Sequence, residues 1–116
     1  MENTSQTDLP GNISDFSAAI KALEADPGKS IQVQKLYKTA GMEILLIALE
    51  AQAELKRHTA PGPISVQVIR GSISFRTDES AQELTAGQLL TLEGNVPHSV
   101  FAAERSIFLV TKSIAG

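Results

Sequence analysis

Residues that favour turns recur at short intervals through the second half of the chain, and this spacing limits the folds that the chain can adopt. The turn residues lie at Pro61-Gly62-Pro63, Gly71, Asp78-Glu79-Ser80, Ala86-Gly87, Glu93-Gly94-Asn95 and Ala103-Glu104. The stretches between them are short and apolar, and short strands joined by closely spaced turns are typical of all-β proteins. The pattern therefore predicts a β-sandwich or a β-barrel.

Alternation of polar and apolar residues predicts individual strands within this pattern. Residues 65–69, 72–76 and 106–111 alternate clearly and are rich in β-branched and aromatic residues. A similar alternation begins at Ile31 and Val33. We expect each of these segments to be a strand with one buried face.

A short helix is predicted ahead of the strands. Phe16, Ile20 and Leu23 recur at helical spacing. Ser14 precedes them as the predicted N-cap. The helix is therefore expected over about residues 15–25.

Length and composition limit the class of protein. The 116 residues suffice for one core, so residues 13–116 are expected to form a single domain behind a polar, mobile arm at residues 1–12. The chain has no cysteine, which excludes a disulfide or a thiolate nucleophile. Its net charge of -3 is not gathered in blocks, so neither a nucleic-acid partner nor a membrane partner is predicted. No signal-peptide pattern is present, and a cytoplasmic location is expected.

One segment gives conflicting signals. Residues 42–57 contain neither Gly nor Pro and are rich in Ala, Leu and Glu. These residues are the strongest helix formers, so propensity alone predicts a helix there.

Two spaced motifs follow that segment. In the first, a Gly is followed after five residues by His-any-His, then after three or four residues by Glu, and after six more by Gly. The frame falls on Gln52, His58, Ala60, Ile64 and Gly71, so one His and the final Gly are kept.

The second motif is Gly, five residues, Pro-any-Gly, two residues, His, three residues and Asn. Its frame falls on Gly87, Glu93, Asn95, His98 and Ala102. The first Gly and the His are again kept, and the spacing between positions is intact.

With these two motifs the chain resembles, from about residue 41 to residue 111, the small single-domain bacterial cupins of the RmlC-like, cupin-2 type. The resemblance implies an antiparallel jelly-roll barrel whose motifs form facing strands around a central pocket, preceded here by the short helix. It also implies that residues 42–49 form a buried strand, followed by a turn near residues 51–53, against their helical propensity.

The resemblance further implies where a metal ion would bind. In metal-binding cupins both His and the Glu of the first motif, and the His of the second, hold a divalent ion such as iron, manganese, nickel or zinc. Ala60 and Ile64 supply no donor atom, so only His58 and His98 remain as a partial metal site. We therefore expect no complete metal site.

The same frame predicts the lining of the pocket. Alternation from Ile64 points Ile64, Val66 and Val68 inward, and with His58 and His98 they are the candidate ligand-binding residues. A plainer interpretation makes the aliphatic residues barrel core and each His a hydrogen-bonded residue at the barrel mouth.

Three hypotheses of function follow. The first is a barrel of unknown specificity that binds a small organic molecule. The resemblance also implies a homodimer, and exposed strand edges or residues 30–38 are expected to form its interface. The second is a metal-dependent cupin enzyme, a small dioxygenase or isomerase, that uses His58 and His98. The third is a structural or regulatory homodimer with a filled barrel. The hypotheses differ in whether the protein is an enzyme, and no catalytic residue is identified.

Overall fold

The computed structural model of the protein describes residue 11 and residues 13–24 and 28–114, so the predicted arm lies almost wholly outside the described residues. These parts of the chain contain one helix and nine strands. In chain order they are α1 (Phe16–Glu24), β1 (Ile31–Lys38), β2 (Met42–Leu49), β3 (Glu54–His58), β4 (Ile64–Arg70), β5 (Ser72–Thr77), β6 (Ala81–Thr85), β7 (Leu89–Leu92), β8 (His98–Phe101) and β9 (Ser106–Ser113).

The strands form two antiparallel sheets that enclose the main core. One sheet has the order β1-β2-β9-β4-β7 and the other the order β3-β8-β5-β6, so successive strands repeatedly change sheet. Side chains of both sheets meet in one apolar cluster that includes Leu49, Val68, Phe75 and Phe108. The predicted all-β, antiparallel jelly roll with a short N-terminal helix is confirmed.

The segment with conflicting signals is a strand. β2 pairs along its length with β1 on one side and β9 on the other. Its inward residues Ile47 and Leu49 belong to the main core, whereas Leu46 and Ala48 face outward and are buried under α1. Residues 44–49 of β2 are apolar at every position rather than alternating, because this part of the strand is covered on both faces, and this explains why its sequence favours a helix. The strand implied by the cupin resemblance is confirmed, and the helix predicted from propensity is wrong.

Helix α1 covers the outer face of the five-stranded sheet. Ala19, Ile20 and Leu23 are its buried residues and pack in a second apolar cluster with β2 and β9. Its N-cap is Asp15, whose Oδ1 accepts a hydrogen bond of 2.9 Å from the backbone N–H of Ser17. The prediction of Ser14 as the N-cap is therefore wrong by one residue. No helix in residues 13–24 or 28–114 is long and apolar enough to cross a membrane.

Tight corners join the strands with backbone in the left-handed region. Gly71, between β4 and β5, has φ 81°, and Gly87, before β7, has φ 91°. Two other described residues with positive φ are Gln52 (71°) and Asn95 (64°), which occupy glycine positions of the two cupin motif frames. Glycine adopts this region without steric cost, and Asn tolerates it better than most other residues.

The two corner glycines differ in what surrounds them, and this gives a matched test. A Cβ on residue 71 would lie 2.5 Å from both the Arg105 carbonyl oxygen and the Ser106 Oγ, whereas a Cβ on residue 87 meets nothing within 4 Å. Gly87→Ala should lower the free energy of unfolding by about 1 kcal/mol, from its backbone alone. In Gly71→Ala the new Cβ also clashes with Arg105 and Ser106, so the free energy of unfolding should fall by about 3 kcal/mol. Urea unfolding of both variants checks this, and equal losses would contradict it.

Candidate functional site

A cavity of about 300 Å³ lies between the two sheets. The five-stranded sheet contributes apolar walls that include Ile47, Val66 and Phe108, and the four-stranded sheet contributes Leu55 and Phe75. Concave apolar sites with a few convergent polar groups are the usual form of small-molecule sites. The polar groups of this cavity are therefore the candidates for contact with a ligand.

The two motif histidines meet on the wall formed by the four-stranded sheet. His58 ends β3 and His98 begins β8, and the two are cross-strand partners in the antiparallel pair. Their ring centroids are 4.3 Å apart in an edge-on arrangement. His98 is 4% exposed and stacks on Phe75 at 5.2 Å, whereas His58 is exposed. Two residues 40 positions apart in sequence thus form one pair.

Backbone carbonyl groups set the tautomer of both rings. The Nδ1 of His58 lies 2.6 Å from the carbonyl oxygen of Lys56, and the Nδ1 of His98 lies 2.9 Å from that of Val96. A carbonyl oxygen only accepts hydrogen bonds, so each Nδ1 carries the proton. In a neutral ring Nε2 is then a hydrogen-bond acceptor.

The buried ring of the pair is held neutral. Burial lowers the pKa of His98, the hydrogen bond to the Val96 carbonyl raises it in part, and the nearby His58 lowers it again. The net effect places the pKa of His98 below its ordinary value. At neutral pH this ring therefore accepts a hydrogen bond rather than carrying a charge.

Some of the aliphatic residues predicted to bind a ligand line the cavity, and others lie in the core. Ile64 and Val66 line the cavity, as does Ala60 in the loop before β4. Val68 also points inward and is fully buried, but it lies in the core and does not line the cavity. The predicted inward alternation along β4 therefore reaches the cavity at two of its three positions.

The residues present do not fit a resident divalent transition metal. Ala60 and Ile64 place hydrocarbon at the cavity wall where the cupin motif has donors. The one carboxylate of the lining, Glu43, lies on the sheet opposite the histidines and forms salt bridges with two lysines of its own sheet. In the described part of the chain no three His, Asp, Glu or Cys side chains come together. Two neutral imidazoles provide neither a first shell nor the negative charge that such an ion requires.

A row of charged residues at the cavity wall was not predicted from the sequence. Lys38, Glu43 and Lys112 stand side by side on β1, β2 and β9, and all three line the cavity. Each lies at the end of a strand, where charges are ordinarily solvated. Only the register of three strands places them together, and no local sequence pattern reveals that register.

Comparison with known proteins supports the fold that this geometry defines, a cupin-type barrel. A cupin-2 domain-containing protein from Shewanella frigidimarina matches with a TM-score of 0.73 at 14% identity, over 87% of this chain and 94% of that chain. An RmlC-like cupin from the same organism matches with a TM-score of 0.70 at 23% identity, over 76% and 79% of the two chains. A cupin superfamily protein from Desulfitobacterium hafniense matches with a TM-score of 0.71 at 14% identity, over 73% and 78%. No family model matches the chain, and no curated protein is similar to it in sequence.

The neutral state of His98 predicts a pH-dependent stability. Below an unfolded-state pKa of 6.5 the unfolded chain binds a proton that the folded protein resists, so the free energy of unfolding should fall between pH 7 and pH 5. In His98→Phe this decrease should shrink, because the group that takes up the proton on unfolding is gone. The lost bond to Val96 lowers stability equally at every pH. Urea unfolding at pH 7 and pH 5 tests this, and an unchanged decrease in the variant would refute it.

Proposed function

We propose that this protein binds a small organic molecule in the cavity of its cupin-type barrel. In this proposal His58 and His98 orient polar groups of the ligand, and apolar residues that include Ile64 and Val66 bury its body. The single observation that carries the proposal is the cavity of about 300 Å³ against the paired imidazoles. A barrel filled by its own side chains, as in the structural or regulatory alternative, would leave no such space.

The volume of the cavity limits the size of the ligand. Ligand sites commonly range upward from about 300 Å³, so this one is at the small end. One water in the liquid occupies about 30 Å³, so the cavity holds a molecule of roughly ten non-hydrogen atoms. A substituted six-membered ring is of this size.

The chemistry of the imidazoles limits the polar groups of the ligand. Because Nδ1 of each ring is committed to a backbone carbonyl, a neutral ring offers its Nε2 only as an acceptor. Hydroxyl or N–H groups of a ligand are the matching donors. The proposal is one of binding, and it assigns no catalytic residue.

The alternative of a metal-dependent dioxygenase or isomerase rests on the same two histidines. The donor set described above counts against it. Elemental analysis of the purified protein distinguishes the two proposals. A transition metal bound in stoichiometric amount, and lost in His58→Ala or His98→Ala, would favour the enzyme.

Filling the cavity should abolish binding. Ala60 lines the cavity and is buried, so Ala60→Leu places three further carbon atoms in the space that the ligand needs. With the uncharged probe 4-hydroxybenzamide, isothermal titration calorimetry should detect binding to the wild-type protein and none to Ala60→Leu. Ala103→Leu is the matched control, because residue 103 is exposed and does not line the cavity. Equal binding to all three proteins would place the probe elsewhere, and no binding to the wild type would count against the proposal.

We also propose that the protein is a homodimer that pairs through β1, and that it acts in the cytoplasm. In the described residues β1 pairs only with β2 and forms the edge of its sheet. Its side chains Ile31 and Val33 are 39% and 55% exposed, which is unusual for apolar residues on the inner face of a sheet. An exposed apolar edge strand is a template for pairing with a second copy, and a two-fold axis makes such pairing self-complementary.

Light scattering tests the dimer. The expected mass is twice the 12.3 kDa of the chain. Ile31→Lys combined with Val33→Lys should give the monomer mass with an unchanged circular dichroism spectrum, because both side chains are exposed within one chain. A wild-type particle of 12.3 kDa would refute the proposed dimer.

A further inference from the structure

The charged row on the wall opposite the histidines carries an inference about the class of ligand. Across the five-stranded sheet, Lys38 is the partner of Glu43, Glu43 is the partner of Lys112, and Lys112 is the partner of Ile64. Directly opposite residues in adjacent strands have Cβ atoms about 5 Å apart. Lysines therefore flank the carboxylate of Glu43 on both sides at the cavity wall.

A β-bulge in β1 places Lys38 in this row. Lys35 is opposite Leu45 and Tyr37 is opposite Ile44, so the extra residue between them shifts the register. Without the shift the aromatic ring of Tyr37 would face Glu43. The bulge instead turns Tyr37 to the outer face and brings Lys38 to the cavity side.

Positive charge exceeds negative charge around this row. Glu43 forms salt bridges with Lys112 at 3.4 Å and with Lys35 at 3.5 Å, and its side chain is only 13% exposed. Burial by itself raises the pKa of Glu43, but the hydrogen bond to Lys112 and the charges of Lys112, Lys38 and Lys35 outweigh it, so the pKa lies below its ordinary value. Three lysines thus surround one ionised carboxylate, and the excess charge is available to a second anion.

From this arrangement we propose that the ligand is a hydroxy acid, whose carboxylate pairs with Lys38, the lysine of the row that forms no salt bridge with Glu43, and whose hydroxyl donates a hydrogen bond to the histidine pair. The inference rests on the proposed function and names the class of its ligand. The body between the two polar ends lies against Val66 and Phe108, which line the same cavity.

The reverse orientation is chemically unfavourable. The Nε2 lone pair of a neutral ring repels a carboxylate, and a carboxylate at the histidines would require a protonated ring. Burial of His98 opposes that protonation. The lysine row is therefore the anionic end of the site, and the histidine pair is the end that takes a hydrogen-bond donor.

Three matched probes test the two ends separately. 4-Hydroxybenzoate has both groups, 4-hydroxybenzamide lacks the charge, and benzoate lacks the hydroxyl. In calorimetric titrations at pH 7.5 and low salt, 4-hydroxybenzoate should bind about fivefold more tightly than either of the others, the size of one partly exposed ion pair or one hydrogen bond.

Substitution of one lysine identifies the anionic end. Lys38→Met should weaken the binding of 4-hydroxybenzoate about fivefold and leave the affinity for 4-hydroxybenzamide unchanged. It keeps the salt bridges of Glu43, which are with Lys35 and Lys112. Lys21→Met is the matched control, since it removes the same charge from the exposed side of α1 and should change neither affinity.

The outcomes separate the inference from the proposed function. If 4-hydroxybenzamide binds as tightly as 4-hydroxybenzoate, the proposal of an anionic ligand is refuted. The same follows if Lys38→Met and Lys21→Met change the affinity for 4-hydroxybenzoate equally. In both cases the proposal that the barrel binds a small molecule still stands. If benzoate binds as tightly as 4-hydroxybenzoate, the hydroxyl contact with the histidines is refuted. If no probe binds to the wild-type protein, the proposed function fails together with the inference.

Discussion

The burial of β2 on both faces is the constraint on which the rest of the structure depends. Its inner face closes the barrel core and its outer face is covered by α1, while β1 and β9 pair with its two edges. Through these contacts one strand joins the helix, the sheet and the core. The same register also brings lysines of β1 and β9 to either side of Glu43, so the strand that organises the fold also organises one end of the cavity.

The two ends of the cavity come from different sheets and have different chemistry. On the four-stranded sheet, the hydrogen bond from Nδ1 to a backbone carbonyl and the burial of His98 produce an uncharged acceptor ring, with His58 beside it. On the five-stranded sheet, a surplus of lysine around one carboxylate produces a cationic surface. Apolar side chains separate the two, so a bound molecule would contact both ends without the ends contacting each other.

Much of the fold could be predicted from the residues, and the reasons for the failures are physical. Residues 65–69 and 72–76 were recognised because strands with one buried face alternate, and they lie in β4 and β5. Residues 106–111 lie in β9, which is buried on both faces rather than the one expected, and their β-branched and aromatic residues identified the strand. β7 and β8 have four residues each, too few for a clear alternation. The strand β2 was recognised only by resemblance, because double burial removes the alternation that identifies a strand.

The site was predictable to a smaller extent. The spacing of the two motifs indicated His58 and His98 as candidates, and the structure places them side by side. Lys38 could not be identified, because its position depends on a bulge in β1 and on pairing with β2. Val68 points inward but does not line the cavity, since alternation gives the direction of a side chain but not its depth along the barrel.

The left-handed corners at Gln52 and Asn95 bear on how such a protein can be recognised at all. The cupin frame has glycine at both positions, and in this chain Gln52 and Asn95 have positive φ with side chains present. Holding a residue such as Gln in that region costs on the order of 1 kcal/mol, a strain that a well-packed barrel tolerates. A corner can therefore hold a left-handed conformation without glycine, so dihedral angles can identify a motif position whose residue differs from the motif.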